Sequence, residues 1–172
     1  MAKTALITGG TAGIGRELAR CFARDRHDVV LVARSAERLD QVCGELRDEF
    51  KVQATPLPAD LSNPAAPQQI FDKLQTDVIE VEYLVNNAGF GTNGPFADSD
   101  LPTELEMIQV NVSALVAMTH LFLRPMVGRK SGRIMNVAST AAFQPGPHMA
   151  IYCATNAFVL SFTEAIDVEL RG

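Results

Sequence analysis

The chain has 172 residues, 47% hydrophobic and 20% charged, enough for one domain with a buried core and unlike a disordered segment. Its net charge of −5 argues against a nucleic-acid surface, which needs a basic stripe. No run reads as the roughly 20 apolar residues of a membrane span. The start, MAKTALITGG, enters a strand without a basic-then-apolar leader, so the sequence predicts a cytoplasmic protein with neither membrane nor nucleic-acid partners. Cys21, Cys43 and Cys153 fall in no metal or redox spacing, and an odd number suits a reducing compartment. Cys21 and Cys43 read as small core residues.

In chain order, residues 3–8 form an apolar run ending in glycines, and 14–26 follow at helical spacing through Leu18 and Phe22. A second apolar run, 29–33, precedes a helix that Ser35 caps, with Ala36, Leu39, Val42, Leu46 and Phe50 on one face. Residues 52–57 predict a third strand, Ser62, Asn63 and Pro64 a helix start, and 81–85 a fourth strand. A loop rich in Gly, Asn and Pro covers 90–100. A long helix is expected over 102–127, stopping near Pro125 and Gly128. Residues 133–138 make a fifth strand and 152–170 a closing helix. Strands alternating with helices predict a single α/β domain over 1–172: a doubly wound, Rossmann-type parallel sheet covered on both faces.

Chemistry gathers at the strand ends. Gly9, Gly13 and Gly15 lie between the first strand and helix, where bare backbone N–H groups can receive a pyrophosphate. Their spacing, Gly-x-x-x-Gly-x-Gly, is not the commoner Gly-x-Gly-x-x-Gly, and by itself it fits a plain tight turn equally well. At the end of the second strand, Ala33 and Arg34 stand where an acidic residue usually binds ribose hydroxyls. An arginine there suits a 2′-phosphate. Arg16 offers a second positive charge, so the pair favours NADP(H), with solvated helix-end arginines as the alternative. Asn86 to Gly89 close the fourth strand, which a turn alone would also explain. Ser139 ends the fifth strand, and Tyr152, 13 positions on, begins the last helix, so one loop can return both hydroxyls to one crevice.

Together these residues resemble the short-chain dehydrogenase/reductase family: the Thr8–Gly15 turn, Asn86-Asn87-Ala88-Gly89, and Ser139 followed by Tyr152. The resemblance runs from the first strand to the end of the chain. It implies reduction of a small-molecule carbonyl, or oxidation of an alcohol, with NADP(H). Tyr152 would protonate the carbonyl oxygen as hydride arrives, Ser139 would hydrogen-bond that oxygen, and Asn111 would hold a proton-relay water. Gly9, Thr11, Gly13, Ile14, Gly15, Arg16 and Arg34 would contact the cofactor, Asp60 and Leu61 its adenine, and Asn87, Ala88 and Gly89 would wall it. The helices at 102–127 and 152–170 would form a homodimer or homotetramer.

Two departures stand out. The family has a lysine four residues after the tyrosine, and this sequence has Asn156. A lysine there would share a helix face with Tyr152 and stabilise its phenolate, whereas Asn156 brings no charge and predicts weaker acid–base catalysis. The family also continues beyond the last helix, so the sheet is expected to lack its last strands and the outer edge of the fifth strand to be uncovered. A non-catalytic NADP(H)-binding protein and a purely structural subunit are therefore alternatives. His27, His120 and His148 show no metal spacing, with His148 the one to watch as a substrate contact. Met107, Ile108, Leu115, Met118 and Phe122 read as core or interface, and Glu45, Asp48 and Glu49 as a solvated face.

Overall fold

The structure, a computed structural model, describes residues 2–171. The elements run β1 (Thr4–Thr8), α1 (Gly13–Arg24), β2 (Asp28–Ala33), α2 (Ala36–Phe50), β3 (Ala54–Pro58), α3 (Ala66–Thr76), β4 (Val81–Asn86), α4 (Leu101–Ile108), a π-helical segment (Gln109–Ala114), α5 (Leu115–Arg129), β5 (Arg133–Asn136) and α6 (Ala150–Glu169). One five-stranded sheet forms in the order β3-β2-β1-β4-β5. Every pairing is parallel, with Leu6 opposite both Val30 and Leu84. The strand order reverses at β1, next to β4, which opens a crevice at the carboxyl ends of these two strands.

Alternation along the strands divides the core. Leu6, Val30, Val32 and Leu84 face α3 and α5, where Ile70, Leu74, Met118 and Phe122 meet them. Ala5, Ile7, Val29, Leu31 and Val85 face the other way, toward Ala19 and Ala23 of α1 and Leu39, Val42 and Leu46 of α2. Both sides of the central strands are thus apolar, which is why they read as continuous hydrophobic runs. β3 lies at an edge, where Pro56 and Pro58 are tolerated because a missing N–H there breaks no ladder on the open side.

Several boundaries differ from expectation. β5 ends at Asn136 and not at 138, because β4 ends at Asn86 and the Val137 N–H to Asn86 carbonyl bond, 2.9 Å, is the last rung. α3 starts at Ala66, since Asn63 closes a turn with its side chain accepting from the Ala65 N–H at 3.0 Å; Pro67, and not Pro64, occupies the first helical turn. α5 continues through Pro125 to Arg129 and stops where Lys130 adopts φ 54°. Cys43 is buried but Cys21 is exposed, against the expectation that both are core.

The stretch Leu101–Arg129 is also long and apolar enough, by length and composition, to cross a membrane, which corrects the reading that no such run exists. Its Met107, Ala114, Met118, Phe122 and Met126 are buried in this fold. β5 ends the strand order, so its outer edge carries no partner strand among the described residues.

Candidate active site

Two adjoining hollows, about 660 and 630 Å3, share Gly9, Ala12, Ala88, Gly89 and Phe90 at the reversal of strand order. Their floor is held by Thr8. Its buried hydroxyl accepts from the backbone N–H groups of Asn87 (2.9 Å) and Ala88 (3.0 Å), tying the end of β1 to the end of β4. The Asn87 amide returns across the same gap to the Thr8 carbonyl at 3.0 Å. Gly9 turns the chain at φ 67°. A Cβ on Gly15 would stand 2.4 Å from the Gly9 carbonyl oxygen, so the start of α1 reaches the turn only because Gly15 has no side chain.

The first hollow runs past β2 and β3. Thr11, Arg34, Asp60 and Leu61 line it, as do Ser35 and Arg38. Ser35 caps α2, its hydroxyl accepting from the Arg38 N–H at 3.3 Å. Arg34 and Arg38 therefore flank the start of one helix, two exposed guanidinium groups beside its N-terminal dipole. The Ser62 N–H, 3.0 Å from Asp60, holds the Asp60 carboxyl below the usual carboxylate range, helped by the Ser62 side chain and the charge of Arg34.

Arg16 stands elsewhere. Its guanidinium meets Glu45 at 2.5 Å, and Arg20 meets Glu49 at 2.7 Å, so residues one turn apart on α1 pair with residues one turn apart on α2. Arg16 is absent from the lining of both hollows, and the second positive charge in the first hollow is Arg38. Asp48 and Glu49 are exposed and Glu45 half-buried, so this face meets solvent as expected, with Glu45 and Glu49 also paired across to α1. The Arg16 hydrogen bond, then that from Gln41, holds the Glu45 carboxyl below its ordinary value.

The second hollow is lined by Gly13, Ile14, Asn87, Asn111, Tyr152, Thr155 and Asn156 among others. Asn111 sits in the π-helical segment, 8% exposed. Its Oδ1 accepts from the Phe90 N–H at 3.1 Å, while Nδ2 donates to the Phe90 carbonyl at 2.9 Å and to the Thr155 hydroxyl at 3.2 Å. The side chain thus joins the β4 loop to α6 through both amide hydrogens and its oxygen. π-Helical turns of this kind recur at functional sites.

Asn156, 8% exposed, donates from Nδ2 to the Tyr152 carbonyl at 2.8 Å, the carbonyl one turn back on its own helix. It places no charge in the hollow.

Ser139 does not join this group. It lies three residues past β5 and caps the short 3₁₀ helix Thr140–Phe143, its hydroxyl accepting from the Ala141 N–H at 3.2 Å. Val137 and Ala138 line the hollow, and Ser139 does not. His148 is exposed at φ 65°, and its carbonyl accepts from the Gly94 N–H at 2.9 Å, joining the two loops above the crevice.

Arg38, Phe90, Glu106 and Thr155 also belong to the crevice, beyond the residues that sequence motifs single out. Arg38 had a legible signal, since it lies one turn into the helix that Ser35 caps, next to Arg34. Phe90, Glu106 and Thr155 carry none, because only the packing of the β4 loop, α4 and α6 brings them together.

The model of the short chain dehydrogenase family matches residues 3–172. The chain belongs to that family. Among its relatives, the very-long-chain 3-oxoacyl-CoA reductase of Homo sapiens is 35% identical, over 98% of this chain and 54% of its own length. A short-chain dehydrogenase from Sphingobium yanoikuyae, solved in complex with NADPH, superimposes with a TM-score of 0.92 at 38% identity, covering 98% of this chain and 66% of that one. The bulky-bulky ketone specific alcohol dehydrogenase from Comamonas testosteroni gives a TM-score of 0.92 at 34% identity, with 98% and 67% covered. The chain spans about half the length of the curated relatives it matches. As a short-chain dehydrogenase it carries Asn156 four residues after Tyr152.

Proposed function

We propose that this chain, residues 1–172 as one nucleotide-binding domain, binds NADP(H) across the two hollows and interconverts a small-molecule carbonyl and its alcohol. The observation that supports this most is the continuous crevice at the reversal of strand order. It has a glycine turn at one wall, two arginines at one end, and Tyr152 at the other. The solved relative from Sphingobium yanoikuyae holds NADPH, and the residues here suit the same cofactor. Gly15 leaves the space a side chain would fill beside Gly9, and Arg34 with Arg38 offers two cations for a 2′-phosphate. When bound, the nicotinamide supplies or receives the hydride.

In this reading, Gly9, Thr11, Gly13, Ile14 and Gly15 receive the pyrophosphate, Asp60 and Leu61 border the adenine, and Asn87, Ala88 and Gly89 wall the nicotinamide side. Arg16 acts at one remove, fixing α1 on α2. Tyr152 gives its phenolic proton to the carbonyl oxygen, or takes one from the alcohol. Asn111 holds the β4 loop against α6 so that Tyr152 faces the crevice. The Ser139 oxygen accepts from the Ala141 N–H and keeps its own O–H free, so it takes part by donating that hydrogen to the substrate oxygen. With Asn156 in place of a lysine, no lysine or arginine lines the second hollow among the described residues, so turnover is slow relative to binding.

We further propose a homo-oligomer assembled through the exposed apolar side chains of α4 and α6, among them Leu101, Leu105 and Phe158. The odd number of cysteines supports a reducing, cytoplasmic setting.

A fluorescence titration of the 172-residue chain with NADPH and with NADH tests the reading. Tighter binding of NADPH is expected; binding of neither would overturn it.

A further inference from the structure

The loop after β4 is fixed at three points. Phe90 is held by Asn111, Gly94 donates to the His148 carbonyl, and between them the Thr92 hydroxyl donates to Glu104 Oε1 at 2.8 Å. Gly91 lies between the first and third of these partners in the chain. A Cβ built on it would stand 2.7 Å from Tyr152 Cδ2 and 2.9 Å from Cγ, so the Gly91 backbone rests directly against the phenol ring.

Glu104 is unusual in its setting. It lies in the first turn of α4, only 6% exposed, and makes no ion pair among the described residues. A buried carboxylate is costly unless hydrogen-bonded, and an apolar residue would fill a core-facing helical position without that penalty. The helix N-terminal dipole offsets part of the cost, and the Thr92 hydroxyl supplies the hydrogen bond. No other role for this carboxylate is visible, since it lines neither hollow.

Tyr152 needs such support. Asn156 bonds to the Tyr152 backbone carbonyl and leaves the ring free, so ring orientation falls to packing. We propose that Glu104, acting through Thr92, is a positioning residue for Tyr152: it fixes the loop so that the Gly91 backbone holds the phenol ring at its angle in the crevice. The proposal rests on the reading of Tyr152 as the proton donor, but its structural half can be measured without catalysis.

The chain contains two tyrosines, Tyr83 and Tyr152, and no tryptophan, so ring-labelled tyrosine yields two NMR signals. Tyr83 packs at the opposite end of the sheet against Phe22 and His27 and serves as the internal control. Thr92→Val keeps the shape and removes the donor; Thr92→Ser restores it. The Tyr152 signal is expected to shift or broaden in Thr92→Val, to return in Thr92→Ser, and the Tyr83 signal to stay in place in both. With NADPH and a small ketone, Thr92→Val should lower kcat by roughly 10- to 100-fold, because a small misplacement of a reacting group costs about that much. KM for NADPH should hold. An unmoved Tyr152 signal in Thr92→Val overturns the proposal, and so does movement of both signals together, which would make the bond a support of the fold as a whole. A Tyr152 shift that Ser reverses, in a chain with no turnover, would keep the positioning and remove the catalytic reading.

Discussion

Arg34 and Arg38 are the arginines that line the first hollow, and among the described residues neither is tied to a carboxylate, whereas Arg16 and Arg20 are. A charge-assisted hydrogen bond is worth about 1.5–3 kcal/mol, so Arg34→Ala or Arg38→Ala should weaken NADPH binding by roughly 10- to 100-fold. NADH binding should change little, and parallel titrations check this; equal losses for both nucleotides would place the arginines away from the 2′-phosphate. At the other end, Asn156→Lys restores a cation one turn from Tyr152. Ketone-dependent NADPH oxidation should then rise, by a factor on the order of 10² or more if acid–base catalysis limits turnover. A lysine that leaves the rate flat would show that something other than the missing charge is limiting. The thiols provide an independent check of burial. Desolvation pushes the Cys43 thiol up to about 11, so a thiolate-selective reagent at neutral pH should modify exposed Cys21 readily and leave Cys43 untouched until the chain unfolds.

Helices that read alike in the sequence differ once packed. The 14–26 and 35–50 patterns each predict an amphipathic helix, and each forms. Neither pattern alone shows that Arg16 and Arg20 face Glu45 and Glu49, because that match depends on the rotation of one helix against the other. The long helical run around 102–127 is interrupted by a π-helical segment at Gln109–Ala114, a change in hydrogen bonding that apolar periodicity does not encode. Its consequence is local and functional: Asn111 lies there, bonded to both the β4 loop and α6. The core face of α5 follows the expected period, with Met118, Phe122 and Met126 buried. Phe122 packs edge-on against Phe71 at 5.2 Å, so Phe122→Ala should lower unfolding free energy by about 3–5 kcal/mol. Chemical denaturation measures that loss, and a value near zero would mean α5 is not docked as described.

Across the whole molecule, the end of the sheet opposite the crevice is fastened by charge. Glu82, buried on β4, accepts from Lys3 at 2.7 Å and from Ser131 at 2.7 Å, with Arg129 at 3.6 Å. These partners, Lys3 first, hold the Glu82 carboxyl below its ordinary range. A depressed carboxyl stabilises the fold wherever it is ionised. The contribution is therefore complete above the ordinary glutamate value of about 4.3 and is lost as pH falls through the lower folded value. Melting temperature should drop on acidification through that window, and Glu82→Gln should flatten the drop; a variant curve parallel to wild type would assign acid sensitivity elsewhere.

The parallel α/β order, the glycine turn, the Arg34 cue and Tyr152 at the head of the last helix could all be read from the sequence, because each rests on local spacing: period 2 or 3.6, small residues at turns, and a cap before a helix. Tertiary structure decided the contacts between segments far apart in the chain. It tied Arg16 to Glu45 and left Arg38 in the hollow. It turned the Ser139 hydroxyl to its own helix cap, ended β5 where β4 ended, and set Glu104, Thr92 and Gly91 behind the Tyr152 ring. The physical reason is that a side chain's direction follows from its own element, while its partner depends on how two elements dock, and docking is set by packing over the whole sheet.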